Sequence, residues 1–269
     1  MAFLQIEFMS RALGRSVEVK ALLPSDHMAG QFEPPYRTLY FLPGYSASAM
    51  QLITYLGLRK QCELKGIAII LPDGENSFYQ DVPERMTLFS TYVGKELVEE
   101  TRKLLPLSKK REDTFIGGIS MGGYGALYNG IRFNETFSKI VALSPATDLY
   151  ELMTNGAPGF SKEQFNSYFG SKEMYYSMPK NLEKAWCETE SEKRPKLFMC
   201  CGTDDILVWH SVKRFEKALT EHKVPHKFVS GPGNHELEYW EKMMDPAFSF
   251  LADIEEGTRN MLVIPKQAG

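Results

Sequence analysis

Gly117-Gly118-Ile119-Ser120-Met121-Gly122-Gly123 follows a short apolar stretch (Thr114, Phe115, Ile116) and precedes a helix-like stretch at 124–131. Residues 118–122 spell G-x-S-x-G in strand–turn–helix order, the setting of a nucleophile elbow. A serine hydroxyl is a weak nucleophile at its own pKa and needs a neighbouring base. A sharp turn lifts it to where a histidine can reach. The flanking glycines leave room where helix and strand pack closely, because a Cβ there would clash. The five-residue pattern alone arises by chance in roughly one chain in ten of this length. The rest of the machinery therefore decides the reading.

Outward from this turn, continuous apolar runs occur at 38–42, 67–71, 115–119, 140–143 and 197–201. Runs without alternation suit strands buried on both faces, as in a parallel sheet. Between them, Phe89, Val93, Leu97, Thr101 and Leu104 trace one helical stripe; Val208, Val212, Phe215 and Leu219 trace another. This alternation predicts a doubly wound α/β domain. The N-terminus is different. Leu4, Ile6 and Phe8 alternate with Gln5 and Glu7, and Val17, Val19 and Ala21 with Glu18 and Lys20, around Leu13-Gly14. That pattern predicts an antiparallel hairpin with one wet face.

From about 148 to 194 no buried strand is expected, but aromatics are dense: Tyr150, Phe160, Phe165, Tyr168, Phe169, Tyr175, Tyr176 and Trp186. The segment reads as a mostly helical insertion covering the C-terminal edge of the sheet, where open α/β sheets bind ligands. Its rings either wall a pocket for an apolar acyl group or glue the insertion to the body. Residues 1–269 otherwise read as one domain.

The chain has 269 residues, 43% hydrophobic and 24% charged, which is ample for a large core. A net charge of −3 gives no electrostatic reason to expect a nucleic-acid or anionic-membrane partner. The stretch from Met1 to Arg15 has a short apolar run and carries Glu7, which makes a poor signal peptide. No stretch is long enough to span a bilayer. Cys62, Cys187, Cys200 and Cys201 show neither C-x-x-C spacing nor disulfide-scaffold density, so a reducing, cytoplasmic setting is expected. Adjacent Cys200 and Cys201 read as small buried apolar residues.

A serine so placed needs an acid and then a histidine further along the chain, each following a strand. Of His27, His210, His222, His226 and His235, only His235 sits in a Gly-rich loop after a late strand at 226–230. His210 and His222 fall on or near a helix and read as solvated, and His27 precedes the sheet. The run at 197–201 ends in Gly202-Thr203-Asp204-Asp205. One of these carboxylates should orient the imidazole, and the other cap the following helix, at 206–219. Spacing does not separate them. Asp148 is a third candidate, read as a helix cap. The oxyanion of a tetrahedral intermediate needs preorganised N–H donors. The Met121 amide, at a helix N-terminus, is one. Gly44, in the loop Leu42-Pro43-Gly44-Tyr45-Ser46, frees the backbone for Tyr45 to supply the other. Phe78 and Tyr79, after the 67–71 run, face the same edge and either line a pocket or pack structurally.

Three segments carry a resemblance: Asp113 through Gly125 around Ser120, Cys201-Gly202-Thr203-Asp204-Asp205-Ile206-Leu207, and Gly233-Asn234-His235-Glu236 followed by Tyr239-Trp240. The chain resembles, over nearly its whole length, the tributyrin-esterase and esterase-D-like group of α/β-hydrolases, which includes S-formylglutathione hydrolases and feruloyl esterases. The resemblance implies the α/β-hydrolase fold, with a mostly parallel central sheet, an N-terminal antiparallel hairpin and a helical cap insertion. It implies Ser120 as nucleophile, His235 as base and Asp205, rather than Asp204, as acid. It implies hydrolysis of short acyl esters without metal or organic cofactor, a small-molecule acyl ester as the partner, and a group in which homo-oligomers are common. Bacterial members usually carry His-Gly in the first oxyanion loop, whereas this chain has Pro43-Gly44. The change removes a loop-bracing side chain and stiffens the turn. Within the class the alternatives are a feruloyl or acetyl-xylan esterase and an S-formylglutathione-type thioesterase. Outside it stand an acyltransferase using the same residues and a binding protein without activity.

Overall fold

The protein's structure is a computed structural model that describes residues 1–25, 32–155 and 157–257. Among the described residues ten strands follow one another: β1 (Ala2–Ser10), β2 (Arg15–Leu23), β3 (Arg37–Leu42), β4 (Ile67–Pro72), β5 (Asp81–Val82), β6 (Thr87–Leu88), β7 (Thr114–Ile119), β8 (Lys139–Leu143), β9 (Lys196–Gly202) and β10 (His226–Gly231). Eight of them form one sheet in the order β1-β2-β4-β3-β7-β8-β9-β10, and β5 and β6 pair as a small ribbon. From β4 to β10 every pairing in the large sheet is parallel; β1–β2 and β2–β4 are antiparallel. In β1, Leu4, Ile6 and Phe8 are half-buried and Gln5 and Glu7 exposed, the alternation expected of a one-sided hairpin.

The unbroken apolar runs serve two cores at once. Tyr40, Leu42, Ile70, Ile116, Ile140, Ala142 and Met199 point to one face, under helices Met121–Arg132 and Trp209–Glu221. Leu39, Phe41, Ile69, Phe115, Val141, Leu143 and Phe198 point to the other, under helices Ala49–Tyr55, Leu58–Lys65 and Leu237–Ala252. Successive side chains alternate across a strand. A parallel strand sandwiched between helix layers therefore has no polar face to show.

Between β8 and β9 lie four short helices, Leu149–Thr154, Lys162–Phe169, Lys172–Ser177 and Leu182–Glu188, and no strand among the described residues. Phe165, Phe169, Tyr175 and Trp186 are buried within or beneath them. The Trp186 indole donates to the Leu127 carbonyl at 3.2 Å, and the Tyr124 hydroxyl donates to the Lys180 carbonyl at 2.8 Å. The segment is thus tied to the outer side of Met121–Arg132, the helix that begins at Ser120. Among the described residues no helix is long and apolar enough to cross a membrane.

After β3 the chain adds β4 on one side and then β7 on the other. Here the winding reverses, and the loops after β3 and β7 diverge to leave a crevice. The loops after β9 and β10 end on the same edge.

Candidate active site

Ser120 is the residue between β7 and its helix, at φ 55° and ψ −114°. That backbone is costly for a residue with a Cβ, by about 1–3 kcal/mol. The surroundings hold it there. Its N–H donates to the Leu143 carbonyl at 2.9 Å, and its carbonyl accepts from Tyr124 at 3.0 Å and Ala146 at 3.1 Å. A Cβ on Gly122 would run into the Leu42 and Pro43 carbonyls, so a glycine there is what lets the helix sit against the β3 loop.

His235 Nε2 lies 2.9 Å from Ser120 Oγ, and His235 Nδ1 lies 2.7 Å from Asp205 Oδ2. Asp205 is fully buried. Its other oxygen accepts from the Leu207 and Val208 N–H groups, each at 3.1 Å. With the carboxylate as acceptor, Nδ1 carries the ring hydrogen and Nε2 is left to accept from the serine hydroxyl. The Cys201 thiol approaches the same carboxylate at 3.9 Å. Burial, and then the Asp205 charge, push that thiol's pKa up, so it stays protonated as a weak donor.

Asp204 does something else. Its carboxylate accepts from the Gly233 N–H at 3.0 Å, and its own N–H donates to the Gly233 carbonyl at 3.0 Å. It laces the acid loop to the histidine loop instead of capping the next helix, which starts at Trp209 with no side-chain cap. Asp148 caps the helix Leu149–Thr154 through the Glu151 N–H at 3.0 Å and pairs with Arg214, as a cap reading requires. His210 and His222 are exposed. His27 lies outside the described residues.

One support escaped the sequence reading. The Trp240 ring stands edge-on to His235, centroids 5.0 Å apart, and its indole donates to Ser144 Oγ at 3.1 Å. Only the placement of Trp240 five residues after His235, one helical turn into Leu237–Ala252, hinted at such a backing. Met121 follows Ser120 directly, and a Cβ on Gly44, next to Tyr45, would lie 3.5 Å from the Ser120 Cβ. Among the described residues neither the Met121 nor the Tyr45 N–H donates to a protein acceptor.

A cavity of about 240 Å³ opens beside Ser120 and His235. Leu52 and Tyr55 from one helix, Leu237 and Trp240 from another, and Gly44, Tyr45 and Ile119 form most of its wall. No described residue of 148–194 lines it. The insertion's rings pack elsewhere: Phe160 against Tyr45 at 4.8 Å, and Tyr168 and Phe169 against the buried Phe78 at 6.2 and 6.5 Å. Of the two readings of these aromatics, the glue reading describes them. Phe78 and Tyr79 are both fully buried, and neither lines the cavity.

A serine on a strained strand-to-helix turn, at the switch point of a mostly parallel sheet, belongs to the α/β-hydrolases, and the protein is a serine esterase of that fold. A family model described as putative esterase matches residues 10–251, and the chain belongs to that family. An acetyl esterase of Caldicellulosiruptor saccharolyticus is 33% identical over 269 residues, covering 95% of this chain and all of that one. Two Staphylococcus aureus structures align over 93% of this chain and 98% of theirs. One is fluorophosphonate-binding serine hydrolase F, with TM-score 0.81 and 27% identity. The other is S-formylglutathione hydrolase, with TM-score 0.78 and 28% identity. The family expected from the motifs is the family found.

Proposed function

We propose that Ser120, His235 and Asp205 form a catalytic triad that hydrolyses esters of short acyl groups. Ser120 Oγ attacks the carbonyl carbon while His235 Nε2 takes its proton. The negative oxygen is held by the Tyr45 and Met121 N–H groups, the second at the positive end of a 12-residue helix. The leaving alcohol takes the proton from Nε2. Water, deprotonated by the same nitrogen, then releases the acid and restores Ser120. Asp205 keeps the ring in its tautomer and stabilises the imidazolium without taking the proton.

The observation that carries this reading is the unbroken relay of 2.7 Å and 2.9 Å contacts from a buried carboxylate to a serine hydroxyl. A cavity of about 240 Å³ with mostly apolar walls supports a short acyl chain, and so does the likeness to an acetyl esterase. Tributyrin falls in the same range. Ser120→Ala should lower turnover of p-nitrophenyl acetate at least about 10³-fold with the melting temperature unchanged. Wild-type turnover in that variant would overturn the assignment. Across acyl chains from acetyl to octanoyl, the rate should fall steeply beyond butyryl.

A thioester reading is favoured by the 28% identity to an S-formylglutathione hydrolase. The relative kcat/KM for S-formylglutathione and p-nitrophenyl acetate decides between them. We further read the chain as a single domain with 148–194 as a packed insertion, acting in the cytoplasm. Four cysteines that are all free, three of them buried, fit a reducing compartment.

A further inference from the structure

The loop at 43–49 must carry the Tyr45 amide to the reacting oxygen, and its own bonds are the Ala47 N–H to the Gly44 carbonyl at 3.2 Å and the Ser48–Gln51 capping box. Pro43 has no N–H. Its backbone is held from outside, by the loop at 73–79 that follows β4. The Tyr79 hydroxyl donates to the Pro43 carbonyl at 2.8 Å. Asn76 Oδ1 accepts from the Ser46 N–H at 2.6 Å. Asp73 Oδ1 accepts from the Ala49 N–H at 2.8 Å, at the start of helix Ala49–Tyr55. These contacts bracket Tyr45 on both sides.

The brace is itself strained. Glu75, Asn76, Phe78 and Tyr79 have φ of 47°, 56°, 50° and 52°, four non-glycine residues with left-handed backbone within five positions. Such conformations persist only where the surroundings over-determine them, and they gather at functional sites. The surroundings here are specific. Ser77 ties the turn through the Gly74 carbonyl at 2.6 Å, and Asn129 Nδ2 donates to the Tyr79 carbonyl at 3.3 Å. The fully buried Tyr79 ring fills the space that Gly125, on the helix following Ser120, leaves without a side chain. One end of Tyr79 therefore touches the serine's helix and the other the oxyanion loop.

We propose that Tyr79, Asn76 and Asp73 are positioning residues that fix the 43–49 loop so that the Tyr45 N–H meets the developing oxyanion. This rests on the triad reading above. The brace matters more in the transition state than in the ground state, because only then does the oxygen carry its charge. Its loss should lower kcat and leave KM nearly unchanged.

The test uses Tyr79→Phe, which keeps the ring and removes the hydroxyl, and Asn76→Gly, which removes the acceptor while suiting a φ of 56°. Asn76→Asp keeps an acceptor. Each is compared with wild type for kcat and KM on p-nitrophenyl acetate and for affinity toward a trifluoromethyl ketone, whose serine adduct carries an oxyanion. Tyr79→Phe and Asn76→Gly should lose about tenfold to a hundredfold in kcat, with KM within about twofold. Ketone affinity should weaken by the same factor, and Asn76→Asp should stay near wild type. Asn76→Gly should not lower the melting temperature, which separates positioning from a folding defect. If Tyr79→Phe does not fold, Asn76→Gly alone decides. Unchanged kcat in the folded variants, or a fall in kcat with ketone affinity unmoved, overturns the proposal. An inactive wild type or an active Ser120→Ala would instead sink the triad reading.

Discussion

At Asp205 a single carboxylate serves two purposes with two oxygens. Oδ1 fastens the turn into the next helix, and Oδ2 holds the imidazole. Asp205→Asn leaves an amide oxygen for the turn and spoils the tautomer of His235. It should cut kcat about 10³–10⁴-fold with little change in melting temperature, read from p-nitrophenyl acetate kinetics and calorimetry. A rate within tenfold of wild type would place the acid elsewhere. At this scale much was legible. Ser120 announces itself by the glycines its turn needs, and His235 by its loop and order. The choice between Asp204 and Asp205 was not legible from spacing, because neighbouring residues on one turn aim in different directions and spacing carries no direction. Trp240 stayed hidden for a similar reason: its value lies in an edge-on contact across a turn.

Among elements, strands were read most closely. The run at 115–119 became β7, and that at 197–201 became β9, each extended by one residue or two. The stripe from Phe89 to Thr101 was also legible, as all four of its members are buried, but Leu104 is 58% exposed. A strict four-residue spacing overshoots an α-helical turn by about 40° at each step. The wider turn of a π segment at Tyr92–Glu96 takes up that drift, and Leu104, three residues after Thr101, is the last residue of helix Leu97–Leu104. The insertion shows why composition alone cannot tell a pocket wall from glue, since both need rings on an inner face. Its anchor can be tested at Asp148, which caps one helix while pairing with Arg214 on another and accepting from the Tyr176 hydroxyl. Asp148→Ala should destabilise the protein by about 1–3 kcal/mol in denaturant titration and leave kcat/KM within about twofold. A large loss of kcat/KM without loss of stability would bring Asp148 back as the catalytic acid.

For the molecule as a whole, strand order was beyond the sequence. Nothing local in β3 or β4 says that β4 lies outside β3 and β7 on the other side; that follows from crossover handedness and from which faces the helices can cover. The second face is closed by helix Leu237–Ala252, anchored by a buried amine. Lys65 Nζ, with its side chain 0% exposed, pairs with Asp245 at 2.9 Å and donates to Ser249 at 3.0 Å. Burial alone would raise the Asp245 pKa. The Gly257 N–H and Lys65 outweigh it and hold the carboxyl below its ordinary value. A depressed carboxyl stabilises the fold at pH above its unfolded pKa, and that stability is lost as pH falls through the folded value. Lys65→Met should cost about 1–2 kcal/mol at pH 7, at the low end for a buried pair because Asp245 is partly solvated. The gap between variant and wild type should narrow below about pH 4, in thermal melts followed across pH. A gap that stays constant with pH would mean that Lys65 contributes packing alone.

The wall beside Ser120 is assembled from two helices that lie far apart in the chain, Ala49–Tyr55 and Leu237–Ala252, each of which turns its other side to the second core. The recess can therefore be recut at Tyr55 or Leu237, both exposed and outside that core, one helix at a time, with the Ser120–His235–Asp205 contacts undisturbed. Diversification of substrate range in such a scaffold has two independent dials, and neither of them is the aromatic insertion.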